Sequence, residues 1–95
     1  MVFTERIKQL REQLNLPQRK VAEVLNIDSA TYCKIERGSR YAKREQIVIL
    51  ADLLKADKEE LLTLWLADQI KNLVVNDNKK IATDAIKIAY NQYNR

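Results

Sequence analysis

The 95-residue sequence contains one glycine, one proline, one cysteine and no histidine. So few glycines and prolines leave little room for hairpin turns, and the sequence therefore predicts an all-α chain. A single cysteine cannot form an intramolecular disulfide, which favours a reducing, cytoplasmic location. Because histidine, a glycine-rich phosphate loop and Cys/His metal spacing are all missing, we predict no enzyme activity, no metal site and no cofactor.

Long hydrophobic runs are missing as well. No apolar stretch approaches the roughly 20 residues that a membrane-spanning helix needs. Near the N-terminus, Glu5 and the lack of an apolar segment argue against a signal peptide. With 46% hydrophobic residues the chain can still bury a core, although a domain this small is only marginally stable alone. We therefore expect a small soluble domain, and its modest size makes a dimer a reasonable expectation.

The positive charge of the chain is unevenly distributed. The formal net charge is +4; residues 1–55 hold 11 Lys and Arg against 7 Asp and Glu, whereas residues 56–95 hold 6 of each. The excess includes a basic stretch formed by Lys34, Arg37, Arg40, Lys43 and Arg44. Such an excess is expected of a surface that binds a phosphate backbone, and it is also consistent with a solvated charged face.

The only proline and the only glycine, Pro17 and Gly38, bracket two short segments with helical periodicity, Gln18–Leu25 and Ser29–Arg37. Proline suits a helix start, and glycine suits the position just past a helix end. Asp28 stands where an N-cap acceptor would open the second segment. Two helices joined by so short a turn must cross steeply. This is the helix-turn-helix shape, which usually presents its second helix to DNA.

The buried and outward faces of these two helices follow from the same periodicity. In the first helix we expect Val21, Ala22, Val24 and Leu25 to be buried. In the second helix, Tyr32 and Ile35 are expected to point inward. The outward positions are then Ser29, Ala30, Cys33, Lys34 and Arg37.

Hydrophobic spacing predicts four further helices. They cover about Glu5–Leu14 with Thr4 as N-cap, about Arg44–Leu54, from Asp57 to as far as Val75, and about Lys79–Tyr93. The apolar positions of the fifth helix cover more than one face, which indicates burial on two sides.

Several short motifs, and the spacing between them, are the basis of a resemblance to a known family. They are Leu16-Pro17-Gln18, Val21-Ala22, Ile35-Glu36-Arg37-Gly38, Leu50-Ala51 and Leu61. Over about residues 3–66 the chain thereby resembles the Cro/C1 repressor class, also called the XRE class. The resemblance implies a five-helix, lambda repressor-like DNA-binding domain over residues 1–66. Residues 67–95 would then be a helical extension that serves dimerisation. The sequence departs from the family by carrying asparagine at positions 15 and 26, where glycine is more frequent, and alanine at position 42, where proline is frequent.

The resemblance also implies roles for individual residues. Base contacts would come from Gln18, Ser29, Ala30 and Lys34, with Lys34 as the long donor to guanine. Gln18 would also bond a phosphate and brace a recognition-helix side chain. Phosphate contacts would come from Arg37, Arg40, Lys43 and Arg44. A structural ion pair would join Arg11 to Glu36.

We therefore predict a sequence-specific, double-stranded DNA-binding transcriptional regulator, a repressor or autoregulator that acts as a homodimer on a palindromic operator. The expected dimerisation residues are Leu62, Trp65, Leu66, Ile70, Leu73 and Tyr90. We predict no membrane partner and no small-molecule effector. An antitoxin-like module and a controller of a restriction-modification or methyltransferase locus remain alternative functions.

Three of these residues have a second interpretation. Lys34 could contact only phosphate, and Cys33 could be a redox sensor or simply a small side chain. Trp65 and its leucine neighbours could line an effector pocket, or they could belong to the core or to a dimer interface.

Overall fold

The computed structural model describes all 95 residues, which form six α-helices and no strand. The helices are α1 (Val2–Gln13), α2 (Gln18–Leu25), α3 (Ser29–Arg37), α4 (Arg44–Leu53), α5 (Lys58–Val74) and α6 (Lys79–Tyr93). This confirms the predicted all-α fold of five helices followed by an additional C-terminal helix. None of the six combines the length and the hydropathy that a membrane-spanning helix requires.

One hydrophobic core of 14 buried residues lies among the first five helices. Helix α5 packs against α1 and α4, and α2 packs against α3 and α4. The largest fully buried side chains are those of Tyr32, Ile7, Ile35, Ile47, Leu50, Leu54, Leu61 and Val21. The prediction was wrong for Val24, whose exposed fraction is 42%. Val24 lies at the edge of the α2 face whose centre is occupied by Val21, Ala22 and Leu25.

Helices α1 to α4 all end in the same way, although the chain has only one glycine. A residue with positive φ follows each helix: Asn15 (55°), Asn26 (58°), Gly38 (88°) and Lys55 (55°). In each case the next amide donates to a carbonyl five residues earlier, as Ser39 N does to Lys34 O at 3.0 Å. This is the Schellman arrangement, which satisfies carbonyls that the helix leaves free.

The start of α1 differs from the prediction. The helix begins at Val2, so Thr4 lies inside its first turn and is not the N-cap. The capping group comes from α5: the Asp68 carboxylate accepts from Val2 N and Phe3 N, both at 2.9 Å. Asp68 is almost wholly buried, so this contact joins α5 to the start of the chain's first helix.

The C-terminal part of the chain packs less closely than the first five helices. The domain boundary that the sequence places between residues 66 and 67 falls inside α5, which is unbroken from Lys58 to Val74. Helix α6 begins as predicted, with the Asn78 side chain accepting from Lys80 N at 2.9 Å. Only Ala82 of α6 is buried.

Candidate nucleic-acid interface

The second helix of the motif, α3, presents one polar face outward. Asp28 caps its start by accepting from Thr31 N at 2.7 Å. Tyr32 and Ile35 are buried in the core, which turns the opposite side of the helix to solvent. That side carries Ser29, Ala30, Lys34 and Arg37, all exposed, and Cys33, which is partly exposed. Three of the four predicted base-contacting residues therefore share a single exposed face.

A hydrogen-bond network centred on Glu36 fixes α3 to α1 and α2. Arg11 donates through Nε to Oε2 at 2.9 Å and through Nη2 to Oε1 at 2.8 Å, a bidentate ion pair. The Tyr32 hydroxyl donates to Oε2 at 2.7 Å, and Gln18 Nε2 donates to Oε1 at 3.2 Å. Arg11 Nη1 also donates to Leu16 O at 2.8 Å. One carboxylate thus connects three helices and the turn that precedes α2.

The protonation of this network follows from burial and hydrogen bonding. Burial disfavours the charged form of Glu36, but the hydrogen bonds from Arg11, Tyr32 and Gln18 together outweigh burial and lower its pKa. The hydrogen bond to Glu36 raises the pKa of Arg11. Burial, followed by the hydrogen bond to Glu36, raises the pKa of the Tyr32 phenol. The carboxylate therefore stays ionised and the phenol stays protonated at neutral pH, so both hydrogen bonds persist.

The fourth predicted base-contacting residue, Gln18, lies at the start of α2 and is partly buried. Because Glu36 can only accept, the amide nitrogen of Gln18 must face it. The amide oxygen and the second N–H of Gln18 remain free of protein partners. A side chain held in this way can both donate and accept at a DNA surface.

The segment between α3 and α4, residues 38–43, is attached to α5. Ala42 is buried, and its carbonyl accepts from Trp65 Nε1 at 2.9 Å. Tyr41 Oη accepts from Asn72 Nδ2 at 2.6 Å. The Arg44 guanidinium lies over the Trp65 ring, with Cζ 5.3 Å from the ring centroid. These contacts hold the segment although alanine occupies position 42, where the resemblance leads one to expect proline.

The predicted phosphate-contacting residues lie at the end of α3 and shortly after it in the sequence. Arg37 ends α3, Arg40 and Lys43 lie in the segment that follows, and Arg44 opens α4; all four are exposed. Two further exposed cations, Arg19 and Lys20, occupy the first turn of α2 beside Gln18. Arg19 and Lys20 are not among the phosphate-contacting residues expected from the sequence, although the adjacent Arg-Lys pair is visible there as a local cluster of positive charge.

The predicted dimerisation residues divide into two groups. Leu66, Ile70, Leu73 and Tyr90 are exposed. Leu62 and Trp65 are partly buried and pack against the core of their own chain, and the Trp65 indole N–H is already bonded to Ala42. The first group contributes to the exposed apolar surface of α5 and α6, which also includes Ile81, Ile86, Ile88 and Tyr93.

Comparisons with known proteins agree with this architecture. A family model described as a helix-turn-helix domain matches residues 2–64, which is 63 of the 95 residues. The chain is also similar to the cryptic phage CTXphi transcriptional repressor RstR of Vibrio cholerae serotype O1. The identity is 29% over 79 residues, covering 83% of this chain and 70% of that protein. No solved structure matches the chain.

Proposed function

Because this chain belongs to the helix-turn-helix domain family, we propose that it represses transcription by binding a palindromic operator as a homodimer. The family match and the similarity to a repressor support the coarser conclusion that it is a DNA-binding transcriptional regulator. The repressing direction is taken from the relative, whose name describes a phage transcriptional repressor. Control of the protein's own gene is the autoregulatory form of the same proposal.

The observation that carries the proposal is the single exposed face of α3. Its residues are free of protein partners on their side chains, and a buried network fixes the helix that bears them. A helix that is rigid and exposed along one side can enter the major groove with little loss of conformational freedom. Lys34 is the longest donor near the middle of that face, and we assign it to the guanine O6 and N7 acceptors.

Sequence-independent affinity would come from the exposed cations around α3. Four of them are exposed to solvent: one ends α3, two lie in the α3–α4 segment and one begins α4. They are Arg37, Arg40, Lys43 and Arg44. Contacts of this kind set the register on the duplex and release counterions, which makes the affinity depend on salt. The small side chains of Ser29 and Ala30 allow the helix to approach the base edges closely.

The dimer would form through the C-terminal part, residues 67–95, together with the adjoining end of α5. Leu66, Ile70 and Leu73 are exposed on α5 at helical spacing, and Tyr90 is exposed on α6. Helix α6 has 15 residues, a length at which an isolated helix is only marginally stable in water. Burial of its apolar side against a second copy would supply the missing stabilisation. Two copies related by a twofold axis would read half-sites about 10 bp apart.

The test is to select bound sequences from a random double-stranded DNA pool at two salt concentrations. We expect an enriched motif with twofold symmetry, whose affinity falls as salt is raised while its base preferences persist. Enrichment of a single, asymmetric half-site would contradict the palindromic arrangement. No enrichment at either salt concentration would contradict sequence-specific binding.

A further inference from the structure

Trp65 contacts the DNA-facing side of the chain at two points. Its indole N–H donates to the buried carbonyl of Ala42, and its ring face lies under the guanidinium of Arg44. The first contact holds the backbone directly before α4, and the second orients the first side chain of α4. Trp65 is itself partly buried against the core, so it is a fixed platform.

A second attachment lies two helical turns along α5. Asn72 donates to the Tyr41 hydroxyl, and Asp68, between Trp65 and Asn72, bonds the first amides of α1. The three α5 residues follow at spacings of three and four, so they lie on one face of the helix. That face contacts the α3–α4 segment at Tyr41 and Ala42, and the start of α1 between those two contacts.

The stacking matters because a free arginine side chain loses rotamer freedom when it binds a phosphate. Over an aromatic ring, the guanidinium plane is already oriented, and its N–H edge remains available for two parallel hydrogen bonds to phosphate oxygens. A lysine at position 44 would keep the charge but would not present a planar donor edge to two phosphate oxygens.

We propose that Trp65 is a positioning residue for DNA binding, which holds Arg44 and the α3–α4 segment in the orientation that the phosphate backbone requires. The proposal rests on the proposed function, since it concerns the same interface. It assigns to Trp65 a role within one chain, in place of the dimer contact expected from the sequence.

The experiment is a double-mutant cycle on the selected operator, with affinities measured by fluorescence anisotropy at fixed salt. Trp65→Leu should weaken binding about two- to fivefold, the usual range for one exposed cation–π contact. In an Arg44→Ala background the same change should cost less, because only the hydrogen bond to the Ala42 carbonyl is left to lose, so the two changes together should cost less than the sum of their separate effects. Trp65→Phe, which keeps a ring face, should lose less than Trp65→Leu, and in an Arg44→Lys background the effect of Trp65→Leu should be smaller than in the wild type.

Leu62→Ala is the matched control, because Leu62 is also a partly buried α5 residue packed against the core. Its effect on affinity should be the same with and without Arg44. Tyr41→Phe, which removes only the hydroxyl bonded to Asn72, provides a variant that keeps the core intact. It should weaken operator binding without lowering the melting temperature appreciably.

The possible outcomes separate the two proposals. Specific binding by the wild type, with additive effects of Trp65→Leu and Arg44→Ala, would overturn the positioning role alone. An absence of specific binding by the wild type would overturn the proposed function and the positioning role together. Upfield ring-current shifts of the Arg44 side-chain protons, lost in Trp65→Leu, test the stacking itself in the free protein.

Discussion

The Asp68 carboxylate lies 2.9 Å from the amide nitrogen of Phe3, which is 65 residues away in the sequence. A negative charge at this position satisfies amides that the first turn of α1 leaves free, and it favourably opposes the positive end of the helix dipole. Because Asp68 lies between the two α5 residues that contact the α3–α4 segment, one helix face contacts both the start of α1 and that segment.

Asp68→Ala should lower the free energy of unfolding by about 2 kcal/mol, since one buried and one partly buried amide lose a charged acceptor. Urea titration followed by circular dichroism measures this change. The control is Asp57→Ala at the exposed start of α5, where a carboxylate accepts only from Glu60 N. A loss at Asp68 no greater than the loss at Asp57 would show that the long-range cap has no special importance.

Glu36→Gln should lower the free energy of unfolding by about 3–5 kcal/mol, because it leaves the Arg11 charge unpaired in a buried setting. The side chains of Arg11 and Glu36 are only 12% and 4% exposed. Glu60→Gln, which affects an exposed pair with Arg6, is the matched control and should cost about 1 kcal/mol or less.

The same residue should make stability depend on pH. The pKa of Glu36 is lowered in the folded protein from its ordinary value of 4.5, so the unfolded chain takes up the proton first as the pH falls. Its contribution is therefore complete above about pH 4.5 and is lost as the pH falls through the lower folded pKa. In Glu36→Gln this acid-dependent loss should be absent from the urea midpoints measured between neutral and acidic pH.

The parts of the fold that the sequence predicts correctly have local signals. Pro17 and Gly38 mark the outer ends of the α2–α3 pair, and Asp28 marks the start of α3. Each of these residues acts within a few positions of itself, through its own backbone preference or a short hydrogen bond. The inward periodicity of α4 is equally local, because apolar side chains at helical spacing define one face.

The features that the sequence does not predict depend on contacts between distant residues. Thr4 looks like an N-cap until Asp68 is known to lie beside Val2 and Phe3. The hydrogen bond from the Trp65 indole nitrogen to the Ala42 carbonyl is likewise absent from any pattern in the sequence. A local sequence pattern cannot show either contact, because both contacts depend on how α5 packs against the rest of the chain.

Lys34→Ala should reduce discrimination at one base pair in each half-site by about 1–3 kcal/mol, as expected when a base-reading side chain is removed. Repeating the DNA selection with this variant measures the change as a flattened preference at that position. Lys87→Ala, an exposed lysine on α6, is the control and should leave every base preference intact. If Lys34→Ala weakens all sequences equally, Lys34 contacts phosphate only.

Leu73→Glu should convert the proposed dimer into a monomer and weaken operator binding, because it places a charge in the apolar surface of α5. Leu73 is 83% exposed in the single chain, so the stability of the monomer should hardly change. Sedimentation velocity at operator-binding concentrations reports the oligomeric state. Val48→Glu changes another exposed apolar residue, on α4, and should leave the dimer intact. A wild-type monomer under these conditions would contradict the proposed dimer.

Lys55→Gly should raise the free energy of unfolding by about 1 kcal/mol, because Lys55 has a left-handed backbone (φ 55°) that disfavours side chains with a Cβ. The hydrogen bond from Ala56 N to Ala51 O, 2.9 Å long, holds Lys55 in this conformation. Asn26→Gly is the control; it should gain less, since asparagine tolerates the same conformation better. Thermal and urea unfolding measure both variants. Lys55 shows that a helix end can take the left-handed conformation without the glycine or asparagine that usually marks it.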